Sequence, residues 1–171
     1  MNTNSVNLSI MLLDKKLHDR AVFDCGVPAL NNYLQQQATQ DVKKRAAVVY
    51  VAVVELPAIV GYYTLSQYSI ELVRLPETVA KRLTRYPVVS ATLLGRLAIS
   101  VQLRHQGLGE TLLFDALRRS LAQSAHIASA GVVVDAKDER ATTFYMKYGF
   151  LPIVEADHRL FLPMQTIQQM F

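Results

Sequence analysis

The run Arg104-His105-Gln106-Gly107-Leu108-Gly109 stands between an apolar segment, Leu93 to Ile99, and an amphipathic one, Glu110 to Leu121. That order reads as a strand, a glycine turn and the first turn of a helix. Gly107 and Gly109 carry no Cβ, so the backbone there turns tightly and comes close to a ligand. The first amides of a helix have no partner within it and carry partial positive charge, which suits a phosphate. Arg104 adds a planar fork of donors at the mouth of the turn. The spacing predicts a pyrophosphate cradle. It is not a Walker loop, because no G-K-[ST] follows, and no third glycine completes G-x-G-x-x-G. On these residues alone, a glycine loop that binds nothing is the alternative.

A second group lies further on, in D-E-R-A-T-T-F-Y-M-K-Y-G-F from Asp138 to Phe150. Phe144 and Tyr148 fall four apart, and Ala141 precedes Phe144 by three, so these residues form one apolar stripe of a helix. Tyr145 lies off the centre of that stripe. Such a tyrosine either snorkels at the rim of the core or offers its phenol to a ligand held by the glycine turn. A third group is basic: Lys43, Lys44 and Arg45, then Arg74, Lys81, Arg82 and Arg85. Each cluster reads either as a solvated surface or as a set of phosphate contacts.

The elements that must position these residues follow from periodicity and turn chemistry. A strand is expected near Asn7–Leu13 and a helix from Pro28 to Val42, with Pro28 at its first position. Strands follow at Ala46–Val54 and Ala58–Ile70, a short basic helix at Leu75–Tyr86, and a strand at Ser90–Ile99. A helix is expected over Gly107–Ser124, a buried strand over Gly131–Ala136 and a helix over Asp138–Tyr148. Short strands at Leu151–Val154 and Arg159–Pro163 precede a small final helix. This order makes a mixed α/β sandwich with helices on both faces. Arg96 falls mid-strand, where a buried carboxylate is its expected partner. Tyr62 and Tyr63 alternate across a strand, so one is expected in the core and the other on a cleft.

The 171 residues form a single expected domain, 1–171. With 51% hydrophobic and 19% charged residues, the chain can bury a sizeable core. The single cysteine, Cys25, excludes an internal disulfide and leaves a Cys/His metal site almost without ligands. It reads as a small buried apolar residue. The opening residues lack a basic n-region, and no apolar run reaches the ~18 residues of a membrane span. A cytoplasmic protein with no metal and no membrane partner is expected.

Three segments together carry a resemblance: the strand L-G-R-L-A-I, the loop Arg104-x-x-Gly107-x-Gly109, and the helix D-x-x-A-x-x-F-Y-x-x-Y-G-F. The chain resembles the Gcn5-related N-acetyltransferases (GNAT) over about Ala46 to Met164. The resemblance implies a mixed central sheet splayed at an acetyl-CoA site. It implies that Arg104, His105, Gln106, Gly107, Leu108 and Gly109 hold the pyrophosphate. It further implies that the backbone of Leu97, Ala98 and Ile99 pairs with the pantetheine arm and that Tyr145 sits near the thioester sulfur. Asp138, at a position often held by Asn, is implied as a further CoA contact.

Narrower likeness lies in F-D-C-G-V-P-A-L-N-N-Y-L and G-Y-Y-T-L-S. These resemble the toxins of type II toxin–antitoxin systems that acetylate aminoacyl-tRNA. That resemblance implies a ribbon-helix-helix antitoxin, DNA contact through it, and a homodimer. Ser100 departs from the Asp common after such a strand, and Arg104 stands where Gln is also common.

The chemistry agrees with an α-amine as acceptor. Between Ser90 and Ser100 there is no Asp, Glu or His to act as base. A lysine amine, pKa about 10.4, needs one, whereas an α-amine at roughly 7.7–8.0 is substantially neutral, and esterification lowers it further. Water relayed to His105 or Glu71 is the other route. Tyr145, with a phenol pKa near 10, suits the acid that protonates the departing thiolate. Two other readings remain: acetylation of a small amine or a protein N-terminus, and a non-enzymatic CoA-binding module.

Overall fold

The computed structural model describes residues 7–154 and 156–171. Seven strands form one sheet in the order β1-β2-β3-β4-β5-β7-β6. They are β1 (Ser9–Leu12), β2 (Val48–Val53), β3 (Ile59–Glu71), β4 (Val88–Ile99), β5 (Gly131–Asp135), β6 (Leu151–Pro152) and β7 (Arg159–Pro163). The helices are α1 (Pro28–Asn32), α2 (Ala38–Lys43), α3 (Glu77–Ala80), α4 (Leu108–Gln123), α5 (Glu139–Lys147) and α6 (Met164–Gln168). The fold divides into two compact units, Met1–Thr64 with Arg96–Phe114, and Leu65–Gly95 with Asp115–Phe171.

In the first unit β1 pairs antiparallel with β2, Ser9 opposite Val53 and Leu12 opposite Tyr50. One face of this unit's strands carries Tyr62, wholly buried against Phe23 and Tyr33. The other meets α4: a Cβ on Gly61 would lie 2.9 Å from the Leu112 side chain. The chain from Pro28 to Lys43 is helical throughout, as the sequence predicts, with Pro28 in its first turn. Its middle, Tyr33–Gln37, widens to π geometry. Side chains divert the local carbonyls there: the Tyr62 hydroxyl donates to Leu30 O at 2.6 Å, and Arg20 donates to Leu34 O and Gln35 O.

In the second unit β5 runs parallel to β4 and antiparallel to β7, with Val132, Val133 and Val134 wholly buried. A central strand covered on both faces needs such a continuous apolar run. Gly131 is compelled by packing, because any Cβ would overlap the Leu162 carbonyl oxygen and the Phe161 ring. The basic helix is shorter than its sequence pattern predicts, only Glu77–Ala80. Arg82 N bonds Val79 O and Leu83 N bonds Ala80 O, three residues back, so the helix tightens and stops. Lys81, Arg82 and Arg85 therefore follow it instead of lying on it.

Candidate active site

In the first unit β4 continues past its last residue paired with β5, Leu94, to Ile99. Ser100 N then donates to Val60 O, and Val101 N to Asp24 O, both at 2.9 Å. A single 3-10 turn, Val101–Leu103, leads into the glycine turn. His105 and Gly107 both adopt positive φ, 61° and 77°. Nothing lies within 4 Å of a Cβ built on Gly107. Glycine is favoured there by backbone conformation, not by crowding.

The first backbone bond of α4 runs from Thr111 N to Gly107 O at 3.1 Å, and the Thr111 hydroxyl donates to the same oxygen. The amides of Leu108, Gly109 and Glu110 therefore precede the helical ladder, as an anion cradle requires. Buried Leu108 anchors the turn, while residues 104–107 are exposed.

Arg104 has a different immediate task from that predicted. Its Nη2 donates to the Cys25 carbonyl at 2.6 Å. That contact clasps a turn in which Asp24 Oδ1 accepts from Gly26 N at 2.8 Å and from Asn31 Nδ2 at 2.9 Å. Asn31 Oδ1 accepts from Cys25 N at 2.8 Å. The Asp24 carboxyl is held below its usual range, chiefly by the Gly26 amide and next by Asn31. Gly26, at φ 79°, has no room for a Cβ beside Arg104 Nη2. Sequence reasoning missed this clasp; the D-x-G turn signal at Asp24 and Gly26 was its only trace. Cys25 is buried in the core, as expected.

Tyr62 and Tyr63 are both wholly buried, so neither lines a cleft. Tyr62 closes on Leu30 O and Tyr63 stacks on Tyr50 at 5.2 Å. Arg96 also departs from expectation: it meets no carboxylate among the described residues. Its Cζ stands 3.6 Å over the Tyr33 ring instead.

In the second unit Asp138 caps α5, its Oδ1 accepting from Ala141 N at 2.8 Å. The carboxylate expected to touch CoA is thus engaged by its own helix. Tyr145 is more deeply buried than a rim position implies, 7% exposed, with its ring edge-on to Phe144 and Phe150. Burial pushes its phenol above the usual range. Among the described residues the only fully enclosed, unpartnered side-chain polar atom is His18 Nε2. None of the described residues hydrogen-bonds the Tyr145 hydroxyl.

The family model described as an acetyltransferase (GNAT) domain matches residues 21–167. The chain belongs to the GNAT acetyltransferase family. A protein of Sinorhizobium fredii (strain NBRC 101917 / NGR234) named "Probable toxin TacT" is 29% identical over 99% of this chain and 98% of its own. AtaT complexed with acetyl-methionyl-tRNAfMet is 33% identical, with a TM-score of 0.89 over 96% of this chain and 99% of that one. A tyrosine-to-phenylalanine mutant of AtaT, bound to the C-terminus of the antitoxin AtaR and acetyl-CoA, is 30% identical, with a TM-score of 0.81 over 96% and 98%.

The clustered basic residues of this acetyltransferase, Lys43, Lys44, Arg45, Arg74, Lys81, Arg82 and Arg85, are all exposed. Arg74 pairs with Glu71 at 3.6 Å and Lys81 with Glu77 at 3.2 Å, both at the surface. Arg82 and Arg85 meet no carboxylate among the described residues. Lys43, Lys44 and Arg45 end α2 in the first unit, with Arg45 at φ 59°. No three His, Cys, Asp or Glu side chains are grouped to hold a metal among the described residues. None of their helices is long and apolar enough to cross a membrane.

Proposed function

We propose that this acetyltransferase carries the acetyl group of acetyl-CoA to the α-amine of aminoacyl-tRNA, and that it acts as a toxin by blocking translation in the cytoplasm. The observation that carries the reading is the near full-length match, at 33% identity, to AtaT complexed with acetyl-methionyl-tRNAfMet. The cradle amides of Leu108 and Gly109 take the pyrophosphate of CoA, with His105, Gln106 and Gly107 shaping the turn and Arg104 bracing it. The backbone of Leu97, Ala98 and Ile99, beyond the β5 pairing, receives the pantetheine arm and polarises the thioester carbonyl.

The neutral α-amine attacks the carbonyl carbon, an N–C bond forms, and the C–S bond breaks. The thiolate takes a proton from Tyr145, the acylated nitrogen loses one to water, and that water returns a proton to the Tyr145 phenolate. The Tyr145 hydroxyl, which no described residue engages, and its upward-shifted phenol support this role, since the group stays protonated at neutral pH. Exposed Lys43, Lys44, Arg45, Arg74, Lys81, Arg82 and Arg85 are the proposed tRNA phosphate contacts. A ribbon-helix-helix antitoxin, through which DNA is contacted, and a second copy of the chain complete the proposed partners.

Labelled acetyl-CoA incubated with total charged tRNA tests the reading. Label is expected on the amino group of an aminoacyl-tRNA. Label appearing instead on a free amine, at a rate indifferent to excess tRNA, would favour a small-molecule acetyltransferase.

A further inference from the structure

Arg96 is half-buried, and among the described residues no carboxylate answers its charge. Strand alternation places Arg96 with Ala98 on the face of β4 that packs with Phe23 and Tyr62, opposite the face where Ile99 meets Gly61. Its Cζ lies 3.6 Å over the Tyr33 ring, which itself stacks on Tyr62 at 6.2 Å and 18°. Both phenols are already engaged elsewhere: Tyr33 donates to Asp41 Oδ2 at 2.8 Å and Tyr62 to Leu30 O at 2.6 Å. Among the described residues no side chain or carbonyl accepts a hydrogen bond from the Arg96 fork, and none forms an ion pair with it. A half-desolvated cation held flat on an aromatic face gains from the ring's quadrupole but keeps its in-plane N–H donors unsatisfied. A bidentate anion satisfies them best.

We propose that Arg96 is an acceptor-side binding residue that takes a backbone phosphate of the single-stranded acceptor end, with Tyr33 holding the guanidinium flat. The inference rests on the aminoacyl-tRNA reading. In that acceptor the amino acid's carboxyl is esterified, so the anions near the reacting amine are phosphodiesters. Arg96 directly precedes Leu97–Ile99 and shares a unit with the glycine turn. One strand thus serves two partners, the donor through its backbone at Leu97–Ile99 and the acceptor through the side chain at Arg96.

The test compares two acceptors, an aminoacyl-adenosine without a phosphodiester and an aminoacyl-trinucleotide ending in the same adenosine. Arg96→Gln is expected to raise KM for the trinucleotide at least tenfold, leaving kcat, the KM for aminoacyl-adenosine and acetyl-CoA binding unchanged. Arg96→Lys, which keeps the charge but not the fork, is expected to fall between. Equal losses on both acceptors, or no loss on either, would overturn the assignment. Should Arg96→Gln fail to bind acetyl-CoA, the folded wild-type protein decides. Replacing the phosphodiester by a neutral methylphosphonate is expected to cost about tenfold in KM, and indifference to that change overturns the role of Arg96. Wild-type protein that transfers no acetyl group to any charged tRNA would instead remove the reading on which the inference rests.

Discussion

Tyr145 combines a buried ring with a hydroxyl that no described residue engages. Removing that hydroxyl alone, by Tyr145→Phe, is expected to lower kcat about 10²–10⁴-fold, the usual contribution of a positioned acid. The Kd for acetyl-CoA should stay unchanged; undiminished turnover would exclude the role. The pH profile follows from the direction of the shift. Because burial raises the phenol's pKa, Tyr145 remains protonated throughout the neutral range, and its loss of the proton begins only above the ordinary tyrosine value. The rate with charged tRNA should therefore rise as the acceptor amine deprotonates, up to roughly pH 8, and then stay level to about pH 10. A fall between pH 8 and 9 in steady-state kcat/KM would point to a different acid.

At the level of elements, two glycines answer different demands. Gly131 lies where β5 approaches β7 so closely that an added methyl meets the Leu162 backbone. Gly131→Ala is expected to cost about 2–3 kcal/mol, read as a fall in Tm of roughly 5–10 °C. Gly107 stands in open space at φ 77°, so Gly107→Ala should cost only about 1 kcal/mol of stability. Its main effect should be a higher Kd for acetyl-CoA, because the loop would relax away from the geometry that presents the α4 amides. Calorimetry and acetyl-CoA titration on the same two variants separate these effects.

Across the whole molecule, 18 basic against 14 acidic residues leave a formal charge of +4. Its distribution matters more than its size. Exposed ion pairs occupy Arg74 and Lys81, and such pairs are worth at most about 1 kcal/mol. Arg82 and Arg85 have no such partner among the described residues. The double variant Arg82→Glu/Arg85→Glu is expected to weaken binding of charged tRNA and to reduce the slope of log K against log salt by about 0.9 for each phosphate no longer neutralised. Lys81→Glu should do less, since Glu77 already shares that charge. A salt slope identical to wild type in filter-binding measurements would return this surface to the solvent.

The order of elements, the glycine turn and the helix bearing Tyr145 were legible in the chain because they rest on local causes. Hydrophobic period, proline at a helix start and glycine at a turn act within a few residues of one another. The GNAT family followed from the same short segments. What the tertiary structure alone decided concerns side chains whose partners lie far away in sequence. Arg104, read as a phosphate fork, clasps the carbonyl of Cys25, 79 residues earlier. Tyr62 and Tyr63 both enter the core because helix covers one face of the first unit's strands and α4 packs against the other. Arg96 meets no carboxylate among the described residues and lies on Tyr33 instead. Periodicity specifies which face a residue takes. Only the folded chain specifies what it meets there, because that depends on crossings between segments that no local pattern encodes.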